Sequence, residues 1–226
     1  MGGGRRLLMW DIDLTLLHTG GVTHLAYAAA FLQLTGQEPV AYPNFAGRTD
    51  LDAAREVFAW HGIAAPDLDG FFARYAAELL ARAHLIPECG VLLPGAREVL
   101  TALCRPGIVQ TAVTGNIAPV AQVKLAAWGL DASLDLTVGA YGTEDVSRAP
   151  LVVASRRRAE AKYGRFDEVL VIGDTVHDVA AALANNATAI GVASGSTGAD
   201  ELRAAGAHAV LDSLADVMTA VALLSS

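Results

Sequence analysis

Short unbroken apolar runs and longer stretches of helical period alternate along this chain. The first run is Leu7-Leu8-Met9-Trp10, and it stops at Asp11. Similar runs occupy 108–113, stopping at Thr114, then 168–172, stopping at Gly173-Asp174, and 187–192. Runs of this length without polar alternation predict strands buried on both faces, as in a parallel sheet. A shorter run at 134–138 is a further candidate strand, and 209–211 a last edge strand. Between the runs, alanine-rich segments at 94–103, 117–128, 151–163, 176–184 and 213–224 carry apolar residues at helical spacing. Strands alternating with helices predict an α/β fold, a Rossmann-like parallel sheet with helices on both faces.

One interval breaks the rhythm. No strand is predicted between 17 and 93, where helices are expected at 24–34, 50–60 and 68–83, separated by Gly36, Pro43-Asn44, Gly62 and Pro66. The chain therefore divides into an α/β core at 1–16 and 94–226 and an inserted all-helical domain at 17–93. Trp60 and Phe71-Phe72 are expected in the core of that insertion.

Composition narrows the function classes. With 53% hydrophobic and 18% charged residues, the 226-residue chain can bury a substantial core and is not a disordered one. The net charge of -8 and the lack of a basic patch beyond Arg156-Arg157-Arg158 argue against nucleic acid as partner. That triplet falls in a helical stretch and reads as a solvated face. No apolar run approaches the roughly 18 residues of a membrane span. The four apolar residues near the start are fewer than the about 7–15 of a signal-peptide core. A soluble cytoplasmic protein is expected. Cys89 and Cys104 form no ligand pair, and so low a count fits a reducing compartment.

The candidate chemistry sits where the apolar runs stop. In open parallel sheets, ligands bind beyond the carboxyl ends of the strands. Asp11-Ile12-Asp13-Leu14-Thr15 places two carboxylates two residues apart directly after a buried strand. Such a pair is costly unless a cation satisfies it, and a hard cation such as Mg²⁺ takes oxygen ligands. One aspartate can then act as nucleophile and the other move protons, although an Asx-turn or a helix cap gives the same pattern. Thr114-Gly115-Asn116 opens a helix and offers a hydroxyl and backbone N–H groups to an anion, or simply caps that helix. Arg148 offers a fixed cation, or lies on the surface. Gly173-Asp174-Thr175-Val176-His177-Asp178 puts two more acids one helical turn apart, which a capped helix start would also explain.

In this order, Asp-x-Asp-x-Thr, Thr-Gly-Asn, Arg and Gly-Asp-x-x-x-Asp resemble the motifs of the haloacid dehalogenase superfamily. The insertion at 17–93 corresponds to its helical C1 cap. Phe45-Ala46-Gly47-Arg48-Thr49-Asp50 and Pro94-Gly95-Ala96 are similar to its phosphoglycolate phosphatase and beta-phosphoglucomutase branch. The resemblance implies a Mg²⁺-dependent phosphatase acting on a small phosphorylated metabolite through an aspartyl phosphate. It makes Asp11 the nucleophile and Asp13 the general acid/base. Asp11, Asp174 and the backbone carbonyl of Asp13 become metal ligands. Thr114 and Arg148 would hold the transferring group, with Thr15, Gly115 and Asn116 as nearby donors. Asp178 would orient Arg148 or reach the metal through water. Arg48 becomes the candidate contact for the substrate's remaining part, with His18, Tyr42, His84 and Glu88 as weaker ones. Three departures stand out: Leu14 where glycine is usual, Arg148 in place of lysine, and Arg148-Ala149-Pro150 in place of Lys-Pro-x-Pro. A phosphomutase or a 2-haloacid dehalogenase on the same fold remains an alternative, although the dehalogenases lack an acid at the position of Asp13. A non-catalytic binding protein is a third.

Overall fold

The first apolar run forms the strand β1 (Arg6–Trp10), and its last four side chains are fully buried. They alternate between two cores. Leu8 and Trp10 pack with Val99, Leu125 and Leu224 on one face, and Leu7 and Met9 pack with Leu151, Val179 and Leu202 on the other. A strand covered on both faces has no use for polar alternation. The computed structural model describes residues 4–225.

From β1 the chain passes through β2 (Leu17–His18) into α1 (Val22–Thr35), α2 (Asp50–Trp60) and α3 (Leu68–Ala81). It returns through the short α4 (Ile86–Cys89) and β3 (Val91–Leu92). Alternation then sets in: α5 (Ala96–Ala102), β4 (Ile108–Ala112), α6 (Ala118–Ala127), α7 (Arg148–Tyr163), β5 (Glu168–Gly173), α8 (Val176–Ala184), β6 (Thr188–Val192), α9 (Ala199–Ala204), β7 (Ala209–Leu211) and α10 (Val217–Ser225). The five long-range strands form one parallel sheet in the order β4-β1-β5-β6-β7. Trp10 is level with Ala112 on one side and Ile172 on the other, so β4, β1 and β5 end together. The chain passes from β1 to β4 on one side and then from β4 across to β5 on the other, and this change of direction opens a crevice at the shared end.

The sheet and its two helical layers agree with the α/β reading. The helices between β2 and β3 enclose a third core around Tyr27, Phe31, Phe58 and Phe71, which also takes in Ile117 and Val120 from the start of α6. Three expectations need correction. The run at 134–138 is not a strand: Asp135 caps a 3-10 turn at Leu136–Val138, and this stretch meets the edge of β4 through Asp135 N to Gln110 O, Thr111 Oγ1 to Asp135 O and Ala140 N to Ala112 O. The interval 17–93 does contain strand, because β2 and β3 pair antiparallel where the chain enters and leaves the insertion. Trp60, at the end of α2, is 43% exposed rather than core, unlike Phe71 and Phe72.

Arg156 pairs with Glu160 and Arg158 with Glu144, as expected of a solvated face. Both cysteines are free and exposed. Among the described residues no helix is long and apolar enough to cross a membrane.

Candidate active site

Because β4, β1 and β5 end together, the residues that follow them are neighbours. The N–H of Asp11 donates to Ile172 O at 2.8 Å, which sets its side chain beside Asp174. The next residues turn sharply. Leu14 has φ 60, the left-handed region where an L side chain costs roughly 1–2 kcal/mol. Glycine would adopt that turn freely, so this leucine is held by its surroundings: Leu14 N donates to Leu17 O and Leu14 O accepts from Ser194 Oγ at 2.6 Å.

Asp11 is 3% exposed and faces Arg148, the first residue of α7, with Nη1 3.1 Å from Oδ1. The same Nη1 pairs with Asp178 Oδ1. Asp178 in turn is fixed at the start of α8 by a capping box, accepting from Thr175 N at 3.1 Å and from Thr175 Oγ1 at 2.6 Å. Thr15 is fully buried and donates to Asp174 Oδ1 at 3.3 Å, so it touches an acid and does not border the cavity. Thr114 is also fully buried, its hydroxyl accepting from Asn116 N and Nδ2 at 3.3 and 2.8 Å. Gly115 needs its lack of a side chain, since a Cβ there would lie 1.9 Å from Arg48 O.

A cavity of about 390 Å³ opens above these residues, between the sheet end and the helical insertion. Asp11, Asp13, Asn116, Arg148 and Asp174 line its floor, and His18, His24, Tyr27 and Arg48 border the insertion side. Tyr42, His84 and Glu88 do not line it. Arg48 reaches its wall already paired with Asp52 at 2.6 Å and with Glu56.

The donor set fits a hard divalent cation. One carboxylate oxygen from each of Asp11, Asp174 and Asp178 lies within 4.8 Å of the others. Asp11 Oδ1 faces Arg148 as an ion pair without a well-aligned hydrogen bond. Asp178 is already engaged with Arg148 and Thr175, which leaves Asp11 and Asp174 the freer ligands. Electrostatics point the same way. Burial pushes the Asp11 carboxyl well up, with Arg148 opposing and Asp178 and Asp13 reinforcing the rise. Burial does the same to Asp174, reinforced by Asp11 and Asp178. Crowded carboxylates of this kind ionise readily only when a cation joins them.

A pH dependence follows. A carboxyl whose folded pKa is raised binds more protons folded than unfolded, so stability is greatest below the ordinary carboxylate range and falls as pH rises. Without divalent metal, thermal stability is expected to decline between about pH 4 and about pH 8. A bound Mg²⁺ would compete with those protons, so the upward shift in Tm expected from it is larger at pH 8 than at pH 5. Thermal melts at both pH values, with Mg²⁺ and with chelator, check this; an equal shift at the two would contradict it.

Comparisons with known proteins bear on the fold and on the segment that follows Arg148. The HAD-hydrolase-like family model matches residues 148–217, which run from Arg148 past Asp174 and Asp178. The probable phosphatase IndB of Dickeya dadantii (strain 3937) is 30% identical over 143 residues, covering 62% of this chain and 60% of that protein. The match thus spans less than two thirds of the curated relative's length. A hydrolase from Pseudomonas syringae superposes with a TM-score of 0.66 at 23% identity, over 98% of this chain and all of its own. CbbY from Rhodobacter sphaeroides, solved in complex with phosphate, superposes with a TM-score of 0.72 at 19% identity, over 97% and 99%. Over residues 148–217 the chain is similar to HAD-like hydrolases.

Two buried charges lie outside the four motifs. Lys124 is 2% exposed and extends from α6 to Asp13, with Nζ 2.8 and 2.7 Å from the two carboxylate oxygens, and to Asn116 Oδ1 at 2.6 Å. Asn116 Nδ2 also donates to Asp13 at 2.7 Å. Burial alone would raise the Asp13 carboxyl, but Lys124 and Asn116 together hold it below its ordinary value. A sequence signal existed: Lys124 shares the buried stripe of α6 with Val120, Ala121 and Leu125, so it interrupts an apolar face. The second is Asp50, the first residue of α2, whose carboxylate accepts from Ile117 N at 2.8 Å and so caps α6 from a different helix. Burial pushes its carboxyl up to about 6.

Proposed function

We propose that the protein is a magnesium-dependent phosphatase that hydrolyses a small phosphomonoester through an aspartyl phosphate on Asp11. The observation that carries this reading is the buried Asp11 held against Arg148 at the cavity floor, with a second carboxylate, Asp13, two residues away. Asp11 attacks phosphorus and the ester oxygen departs, taking a proton from the protonated form of Asp13. Asp13 then accepts a proton from the water that attacks the phosphorus of the aspartyl phosphate, which releases inorganic phosphate and restores Asp11.

Charge spreads over three phosphoryl oxygens during transfer, so positioning and neutralisation supply most of the catalysis. Arg148 supplies a fixed positive charge beside Asp11, and Asp178 keeps that charge in place. The Gly115 N–H is the remaining backbone donor there for the same group, since the N–H groups of Asn116 and Ile117 are taken by Thr114 Oγ1 and Asp50. Asp11, Asp174 and the backbone carbonyl of Asp13 would hold Mg²⁺, which when bound offsets carboxylate charge and polarises a phosphoryl oxygen.

The helices of 17–93 act as a cap in this reading. They close a cavity of about 390 Å³, room for a small metabolite. The name of IndB, a probable phosphatase, and the phosphate held by CbbY support the reaction class. Asp13 favours phosphoryl transfer over dehalogenation, since departure of a halide calls for no proton donor. Hydrolysis of p-nitrophenyl phosphate is expected with Mg²⁺ and should disappear with EDTA. No phosphate release across a panel of small phosphomonoesters, or release that survives chelation, would refute the assignment.

A further inference from the structure

We infer that Lys124 is a positioning residue for the proton-transfer step, acting through Asp13; this rests on the phosphatase reading above. Asp13 is more exposed than the acids beside it. Its side chain is 41% exposed, against 4% for Asp11 and 3% for Asp178, and the apolar core does not immobilise it. An aspartate at a cavity edge can turn away from the reacting oxygen, and a misplacement of about 1 Å can cost about 10²-fold in rate.

Lys124 removes that freedom. Its ammonium contacts both Asp13 oxygens and Asn116 Oδ1, while Asn116 Nδ2 joins Asp13 Oδ2 to Thr114 Oγ1. Lys124, Asp13, Asn116 and Thr114 therefore form one continuous network between α6 and the ends of β1 and β4. The anchor is rigid. Lys124 lies one turn beyond Val120, which packs into the helical insertion, and α6 is capped by Asp50 from α2. A buried lysine needs a partner to offset its desolvation. Here that partner is the acid that must stay in place.

This role differs from binding substrate or supporting the fold, and leaving-group dependence separates the three. p-Nitrophenolate departs without protonation, whereas phenolate is a poorer leaving group and depends more on Asp13. In Lys124→Met, kcat/KM with Mg²⁺ is expected to fall at least about 30-fold for phenyl phosphate and no more than about 3-fold for p-nitrophenyl phosphate. In an Asp13→Asn background, the same substitution should cost nothing further for either ester, because its path to the reaction is gone. Lys124→Arg keeps the charge and should recover part of the phenyl phosphate rate.

Equal losses for the two esters, or an added loss in the Asp13→Asn background, would overturn the inference and leave the phosphatase reading intact. A raised KM with an unchanged ratio between the esters would assign Lys124 to substrate binding instead. If the unsubstituted protein hydrolyses neither ester nor any panel compound, the phosphatase reading fails and this inference fails with it. Should Lys124→Met not fold, Lys124→Gln, which keeps a donor, carries the same comparison.

Discussion

Asp11→Asn lowers phosphate release by about 10⁴-fold or more, the scale seen when a nucleophile that forms a covalent intermediate is removed. The same substitution should leave the fold intact and raise thermal stability above neutral pH. Asp11 is 3% exposed, and burial opposes its ionisation. A neutral amide of the same shape removes that cost. Loss of activity with preserved or higher Tm is thus the combined signature, and a nonspecific disruption would give the opposite stability result. Acid-quenched wild-type protein should carry a phosphoryl mass on the peptide containing residue 11, and the variant should not. Activity within tenfold of wild type in Asp11→Asn would end the nucleophile assignment.

Arg148→Ala has the second largest expected effect. It removes one cation from between two acids, Asp11 and Asp178, and all three groups are buried. Breaking a buried pair from one side typically costs about 3–5 kcal/mol, because the stranded charge stays behind. Turnover should fall at least about 10²-fold, since the fixed charge beside Asp11 is also lost. Arg148→Lys is expected to behave differently. Arginine and lysine are not interchangeable where the guanidinium grips with two nitrogens. Here Nη1 alone makes both ion pairs, and the buried Nε has no hydrogen-bond partner. A single ammonium can make the same two contacts, so activity should stay within about tenfold. Urea unfolding and steady-state kinetics on the two variants check this; equal damage from Ala and Lys would show that the planar fork matters after all.

Much of the fold was legible because parallel strands buried on both faces are written as unbroken apolar runs, and those at 7–10, 108–112 and 168–172 lie in the sheet as read. Asp11, Asp13, Arg148 and Asp174 meet at one cavity because the level strand ends bring them together. Other features depended on tertiary context. The run at 134–138 is apolar enough for a strand, but Asp135 turns the backbone into a 3-10 turn where it meets the sheet edge. The pairing of two-residue strands at 17–18 and 91–92 joins segments far apart in sequence, with no local pattern to mark it. Lys124 resembles any lysine on an alanine-rich helix until its buried neighbours on that helix are considered. Arg48 shows the reverse: an arginine suited to an anion is already committed to Asp52 and Glu56.

The small ribbon of β2 and β3 sets the geometry of any movement over the site. Leu17 pairs with Leu92 and His18 with Val91, so both passages between sheet and insertion run side by side. A paired ribbon resists sliding of one passage along the other, since that would break its register. His18 lies on this ribbon, so its place beside the sheet is tied to that register, whereas Arg48 borders the same cavity from the loop before α2. A ligand seated against His18 therefore meets a wall that backbone pairing holds to the sheet.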